Sequence, residues 1–166
     1  MADQYSAVIL PIHRSIQQTP YSCGPASLKA VLAVLGKKTT ERQLMKLAKT
    51  TPKYGTFPHD LVGALSRLGI KHTVFPQGSM ARLESELRAM RLCIVDYRAW
   101  TDGHYSVIFG YSPTHLYIAD PHKKKATRRD AIGFRTIHKN LFEKRWWDDF
   151  PNGLRTHHWM VSIPIV

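Results

Sequence analysis

The residues best suited to chemistry surround Cys23, in the segment Tyr-Ser-Cys-Gly-Pro-Ala-Ser-Leu. Apolar side chains recur at helical spacing over residues 24–35, which predicts a helix with Cys23 at its amino terminus. Unpaired backbone N–H groups and the positive end of the helix dipole favour a thiolate there. Pro25 suits the first turn because it has no N–H to lose. The segment therefore predicts a nucleophilic cysteine.

A thiolate attacking a carbonyl also needs donors that stabilise the oxyanion, and two glutamines precede the cysteine. Gln17 and Gln18 lie six and five residues before Cys23. A side-chain amide beside the backbone N–H of Cys23 would form a two-donor oxyanion hole. At this stage both glutamines are candidates.

A base and its orienting acid are predicted further along the chain. Residues 104–111 and 114–120 have the pattern of a β-hairpin turning at Ser112-Pro113. Pairing across that turn would make His104 and Asp120 cross-strand neighbours to within one residue. A carboxylate that holds one imidazole nitrogen leaves the other aimed at a nucleophile. The sequence thus predicts a Cys23, His104 and Asp120 triad.

The elements that must position these residues are mainly helices first and strands later. Besides the first helix, we predict helices that begin at Thr40, near Pro58 and after Ser79, the last with Met90 facing inward. A further helix is predicted over residues 137–147. Strands are predicted over residues 70–75, 92–97, 104–111, 114–120 and 159–166. This order predicts an α+β fold with a largely antiparallel sheet.

Composition limits the class of protein. The chain has 166 residues, a formal net charge of +12 and 43% hydrophobic residues, which fits one globular domain over residues 1–166. No stretch approaches the ~18 apolar residues of a membrane span, and no signal peptide is visible. Two cysteines cannot form a disulfide framework, so we expect a cytoplasmic protein. Cys93, in an apolar strand, is expected in the core.

Positive charge is concentrated after the predicted triad. Residues 121–145 contain nine basic and two acidic residues, so they carry +7 of the +12. Because Lys123 and Lys124 closely follow Asp120, we assign them, with Gln18 and Tyr21, to substrate binding. A positive rim would attract a peptide or protein substrate that is acidic. Nucleic acid is the alternative partner, although no nucleic-acid-binding motif accompanies the charge.

Metal and nucleotide chemistry are not indicated. The nine histidines include no pair with the spacing of zinc ligands, and no Cys-x-x-Cys occurs. Gly103 and Gly110 stand alone, without the glycine-rich pattern of a phosphate-binding loop. The sequence therefore predicts an activity without a metal or other cofactor.

Several of these segments together resemble the bacteriocin-processing peptidases, family thirty-nine of the papain-like cysteine peptidases. They are the Gln-to-Cys-Gly segment of residues 17–24, Gly-His-Tyr-Ser-Val at 103–107, Ile-Ala-Asp-Pro at 118–121, and Leu141-Phe142 followed by Trp146. The resemblance covers about residues 12–147. It implies a papain-like fold with Cys23 as nucleophile, His104 as base, Asp120 as its orienter and Gln17, at the favoured spacing, in the oxyanion hole.

The resemblance also implies a substrate class. Members fused to ABC exporters cleave leader peptides after a double glycine, and they carry an acidic residue where this chain has Ser22. The chain is more similar to the stand-alone members. We therefore expect a cysteine peptidase that cleaves peptides, leader peptides among them. The alternatives are an acyl transferase using the same triad and a basic module that binds peptide or nucleic acid.

Overall fold

A computed structural model describes residues 7–122 and 134–166 of the chain. Within these residues lie the helices α1 (Cys23–Val34), α2 (Glu41–Leu47), α3 (Pro58–Arg67), α4 (Met80–Arg88) and α5 (Lys139–Arg145). The strands are β1 (Val8–Ile9), β2 (Thr73–Phe75), β3 (Arg91–Arg98), β4 (Gly103–Tyr111), β5 (His115–Ala119), β6 (Phe134–His138), β7 (Trp147–Asp149), β8 (Arg155–His157) and β9 (Met160–Pro164).

One antiparallel sheet organises the molecule. Its strand order is β2-β9-β3-β4-β5-β6, and β1 pairs with the end of β4. A separate two-stranded hairpin joins β7 and β8. The helices pack against this sheet, so the predicted α+β class with a largely antiparallel sheet is confirmed.

The core lies between the helices and the central strands. Leu28, Val31 and Leu32 of α1 are fully buried, as are Ile94 and Val107 of the two central strands. Burying each such side chain contributes about 1.5–3 kcal/mol. This packing presses α1 against β3 and β4, and it thereby fixes the amino terminus of α1 over the start of β4. Cys93 is also fully buried, as predicted.

Local sequence signals explain where the helices begin and end. Thr40 caps α2 in a capping box with Gln43, and the Ser79 hydroxyl accepts from the backbone N–H of Arg82. Gly36 and Gly69 follow α1 and α3 with φ of +72° and +66°. A side chain there would be strained, which is why glycine ends both helices.

The last third of the chain differs from the prediction. The helix predicted over residues 137–147 is wrong in extent: Ile137 belongs to β6, and Trp147 belongs to β7. The prediction for Met90 is also wrong, because Met90 lies beyond α4 with a positive φ and a half-exposed side chain. The strands β1, β6, β7 and β8 were not predicted. Each is short, and its conformation is set by a partner strand rather than by its own residues.

In the residues that the structure describes, no helix is both long enough and apolar enough to cross a membrane.

Candidate active site

Cys23 is the first residue of α1 and lies beside the start of β4. Its side chain is partly exposed, and its Sγ accepts a hydrogen bond from the backbone N–H of Tyr105 at 3.5 Å. The helix can approach so closely because the next residue is Gly24. A Cβ at that position would lie 3.1–3.3 Å from Thr56 and Tyr105. The sequence thus holds the thiol at a helix terminus and against a strand.

His104, the second residue of β4, is joined to Asp120. The His104 side chain is buried, and its Nε2 donates to Asp120 Oδ1 at 2.7 Å. Trp100 packs edge-on against the imidazole, with ring centroids 5.0 Å apart. Because Nε2 is engaged by Asp120, Nδ1 is the nitrogen left for a nucleophile.

The hairpin offsets His104 and Asp120 by two residues, one more than the prediction allowed. Val107 lies opposite Ala119, so the register continued by one residue places Asp120 opposite Ser106. A bulge between Ile108 and Gly110 adds the extra residue on β4. An offset of two residues keeps both side chains on one face of the sheet, and diagonal neighbours remain within reach. His104 and Asp120 therefore meet diagonally rather than directly.

Asp120 accepts hydrogen bonds from three groups, and two of them were not predicted. Its Oδ1 accepts from the backbone N–H of His122 at 2.8 Å, in addition to His104. Its Oδ2 accepts from Arg135 Nε at 2.6 Å. The Arg135 guanidinium also donates to the Tyr97 hydroxyl. Strands β4 and β6 and the turn at His122 therefore hold this carboxylate, and β3 in turn holds Arg135.

From the sequence, Arg135 was placed only in the basic segment that was expected to attract substrate. In the structure, β6 pairs with β5 so that Arg135 lies opposite Ile118, and its charge is directed at Asp120. Residues 134–138 show no strict alternation of apolar and polar side chains, so no local signal indicated this strand.

These contacts shift the protonation of the pair in opposite directions. Burial opposes the charged form of His104, but the hydrogen bond to Asp120 and the interaction with Cys23 outweigh it and raise the pKa of His104 to about 9. Burial would also raise the pKa of Asp120. The His104 hydrogen bond and charge, together with Arg135, instead lower that pKa well below its usual value. The two groups therefore form an imidazolium–carboxylate pair at neutral pH.

The two glutamines occupy different environments. Gln17 is partly buried; its backbone N–H donates to Pro121 O, and its Nε2 donates to Thr19 O, both at 2.8 Å. Its Oε1 is buried and has no hydrogen-bond partner. Gln18 is exposed. Gln17 Nε2 carries a second hydrogen, and this is the donor that would serve an oxyanion at Cys23.

A buried glutamate of α2 holds the turn before the thiol. Glu41 Oε1 accepts from the Ser22 hydroxyl at 2.5 Å and from the backbone N–H of Gln18 at 2.9 Å. Glu41 itself is almost completely buried. A carboxylate from α2 thus contacts the residue directly before Cys23. Nothing in the local sequence around Cys23 signals this contact.

A cleft of about 340 Å³ opens at the thiol. The residues that line the cleft include Tyr21 and Cys23. Tyr21, which the sequence predicted to bind substrate, therefore lies beside the predicted nucleophile. Lys123 and Lys124 lie outside the described residues. A larger groove of about 770 Å³ lies beside α3, β2 and β8 and contains neither Cys23 nor His104. In residues 7–122 and 134–166, no group of three or more His, Cys, Asp or Glu side chains could hold a metal ion.

Known proteins similar to this chain share both its sequence pattern and its fold. A sequence model of the Peptidase C39 family matches residues 12–147. An uncharacterized protein from Methanothermobacter thermautotrophicus is 31% identical over 129 residues, which is 78% of this chain and 79% of that protein.

Two solved structures show the likeness of fold. The peptidase domain of Streptococcus ComA, a bi-functional ABC transporter involved in a quorum-sensing pathway, matches with a TM-score of 0.70 and 21% identity. That match covers 92% of this chain and 98% of the other. A double glycine motif protease from an AMS/PCAT transporter, in complex with the leader peptide, matches with a TM-score of 0.71 and 20% identity, covering 95% and 94%. These matches confirm the papain-like fold predicted from the sequence.

Proposed function

Because the chain belongs to the Peptidase C39 family, we propose that it is a cysteine peptidase with Cys23 as its nucleophile, His104 as its acid and base, and Asp120 as the orienting carboxylate. The observation that supports this most strongly is the 2.7 Å hydrogen bond between His104 and Asp120, beside a thiol at a helix terminus. A purely structural cysteine would have no use for a buried imidazolium–carboxylate pair.

The reaction begins with attack of the Cys23 thiolate on the carbonyl carbon of the scissile peptide bond. The carbonyl π-electron pair moves to oxygen, and the oxyanion accepts hydrogen bonds from the Cys23 backbone N–H and the Gln17 amide. The C–N bond then breaks as His104 gives its proton to the leaving amine. A thioester between the substrate acyl group and Cys23 remains.

Hydrolysis of the thioester reverses these roles. Neutral His104 takes a proton from water, the hydroxide oxygen attacks the thioester carbonyl, and Cys23 leaves as a thiolate. Asp120 stays ionised throughout and stabilises the imidazolium, and Arg135 stabilises Asp120. A pKa near 9 keeps His104 protonated in the resting enzyme, as an acid for the leaving amine.

The proposed substrates are peptides or protein segments, including leader peptides. One structural neighbour is a protease in complex with a leader peptide, which supports this class. Both cysteines of this chain are free, which is compatible with the cytosolic location that we propose.

A peptide library tests the proposal directly. The purified protein is incubated with proteome-derived peptides, and new termini are identified by mass spectrometry. We expect cleavage that Cys23→Ala abolishes and Cys93→Ala retains. Product masses separate hydrolysis from acyl transfer when an added amine is present. Equal cleavage by the Cys23→Ala protein would contradict the proposal.

A further inference from the structure

Two carboxyl groups lie in the wall of the cleft beside the thiol and have no role in the proposed triad. Asp96 of β3 is directly opposite Tyr105 of β4, whose backbone N–H contacts Cys23 Sγ. Asp148 of β7 lines the same cleft. Both side chains are buried, and Asp96 is completely so.

Asp96 has an oxygen without a donor. Its Oδ2 accepts from the Thr156 hydroxyl at 3.2 Å, whereas no N–H or hydroxyl of the described residues donates to its Oδ1. A buried carboxylate oxygen without a donor is costly, and proteins retain such groups where a ligand supplies the missing partner. The remaining partner of Asp96 is the Asp148 carboxyl, so the two acids share a hydrogen bond that a cation in the cleft could replace.

The backbone is shaped around Asp148. A Cβ at Gly103 would lie 1.9 Å from Asp148 Oδ2, so only glycine allows this carboxyl to pack there. Gly103 directly precedes His104 in β4. The glycine next to the proposed catalytic histidine therefore makes room for an acid at the cleft.

The cations of the cleft leave this pair of acids incompletely neutralised. Arg98 Nε lies 3.6 Å from Asp148 Oδ1, too far for a good hydrogen bond, whereas Asp149 is paired with Arg155 at 2.6 Å. Lys53 instead lies over the Tyr54 ring. The charged residues lining the cleft are Asp96, Asp102, Asp148 and Asp149 against Lys53 and Arg98.

Proximity of the two acids has a measurable consequence. Burial, followed by the charge of Asp148, raises the pKa of Asp96 well above its ordinary value. The pair therefore retains a proton that a cationic ligand could replace.

We propose that Asp96 and Asp148 bind a cationic group of the peptide substrate, a lysine or arginine side chain next to the scissile bond. The assignment to a substrate rests on the proposed peptidase function. The charge of this group is opposite to that of the acidic substrate predicted from Lys123 and Lys124.

The first experiment uses matched fluorogenic peptides. A sequence cleaved in the library is synthesised with lysine, norleucine or glutamate at each of three positions on either side of the cleaved bond. At one position we expect kcat/KM to be about tenfold higher with lysine than with norleucine, and lowest with glutamate. Asp148→Asn should remove the lysine advantage, whereas Glu84→Gln, a matched loss of charge on the outer face of α4, should keep it.

The second experiment needs no peptidase activity. Cys23 is modified with a cationic trimethylammonioethyl methanethiosulfonate or an anionic sulfonatoethyl methanethiosulfonate, and peptide mapping gives the rate at Cys23. We expect a cation-to-anion rate ratio about tenfold above that of free cysteine, despite the net charge of +12. Asp148→Asn should lower this ratio, and Glu84→Gln should not.

The two experiments separate the two proposals. A high rate ratio without any peptide cleavage would support the cation site and contradict the peptidase. Cleavage with a preference for glutamate, or a rate ratio equal to that of free cysteine, would overturn the cation site and leave the peptidase standing. If Asp148→Asn lowers the melting temperature, the rates are measured below the unfolding transition.

Discussion

Asp120 and Asp96 are both completely buried, yet their surroundings push them toward opposite states of charge. Asp120 accepts from the His104 imidazole, the His122 backbone N–H and the Arg135 guanidinium. Asp96 accepts from one hydroxyl and faces a second acid, Asp148. Burial alone disfavours the charged form of both, and it is the neighbours that decide the outcome.

The difference indicates a division of labour around the thiol. An ionised Asp120 can hold His104 as an imidazolium, which is what an acid for the leaving amine requires. A partly protonated Asp96 can exchange its proton for a cation of the ligand. Two carboxyls on the same sheet thus serve the proposed chemistry and the proposed binding separately.

Asp120→Asn should cause the largest loss of activity. The amide cannot stabilise the imidazolium and can hold the imidazole in the wrong tautomer, so we expect kcat/KM to fall by about 10⁴-fold. Cleavage of a fluorogenic peptide measures this. Near-unchanged activity in a folded Asp120→Asn protein would show that the carboxylate does not act on His104.

Arg135→Gln should have a smaller effect because Arg135 acts only through Asp120. Loss of its 2.6 Å bond would let the carboxylate move, and we expect about a 10²-fold loss, mostly in kcat. Arg135→Lys should restore part of it. Arg88→Gln, which removes a guanidinium hydrogen-bonded to the Tyr111 hydroxyl at the far end of β4, is the matched control. If KM rises while kcat is retained, Arg135 serves substrate binding instead.

The pH dependence of kcat/KM tests whether Asp120 sets the protonation of His104. His104 has a raised pKa of about 9, so its protonated form, and with it kcat/KM, should be lost as pH rises through about 9. In Asp120→Asn this alkaline limb should move down toward the ordinary histidine pKa of about 6.5. Residual activity is followed across pH 5–10. A limb that stays in place after the substitution would mean that it reports another group.

Sequence predicted the parts of the site that depend on local signals. Cys23 at a helix start and the hairpin carrying His104 and Asp120 follow from periodicity and turn residues within about fifteen residues of each. The contacts of Glu41 with Ser22, and of Arg135 with Asp120, join elements far apart in sequence. They depend on how α2 and β6 pack, which periodicity does not contain.

The acidic cleft was missed for the same reason. Asp148 and Asp149 directly follow the segment predicted as the last helix, in a stretch with no predicted element, so nothing in the sequence brought them near Cys23. The net charge of the chain also favoured an acidic rather than a cationic substrate. A total of +12 and a basic segment after Asp120 pointed to an acidic substrate, whereas the described wall of the cleft contains four acids and two bases.

Asp96→Asn should have the smallest effect, a change in stability that accompanies the loss of the proposed preference for lysine. A carboxyl with a raised native pKa binds its proton more tightly in the folded state, so folding stability falls as pH rises above the unfolded value of about 3.9. Asparagine imitates the protonated acid: its oxygen can accept from Thr156 and its amide can donate to Asp148. The variant should therefore gain free energy of unfolding relative to the natural chain between pH 4 and pH 7.

Asp120→Asn should change the stability with pH in the opposite direction in the same measurement. The native pKa of Asp120 is lowered, so its contribution to stability is present above the unfolded pKa and is lost as pH falls. The Asp120→Asn protein should therefore lose most free energy of unfolding, relative to the natural chain, at pH 7 and least in acid. Urea unfolding of the natural protein and of the two variants at pH 4 and pH 7 measures both effects. Two variants that shift stability in the same direction with pH would show that burial, rather than the neighbouring charges, sets the state of both carboxyls.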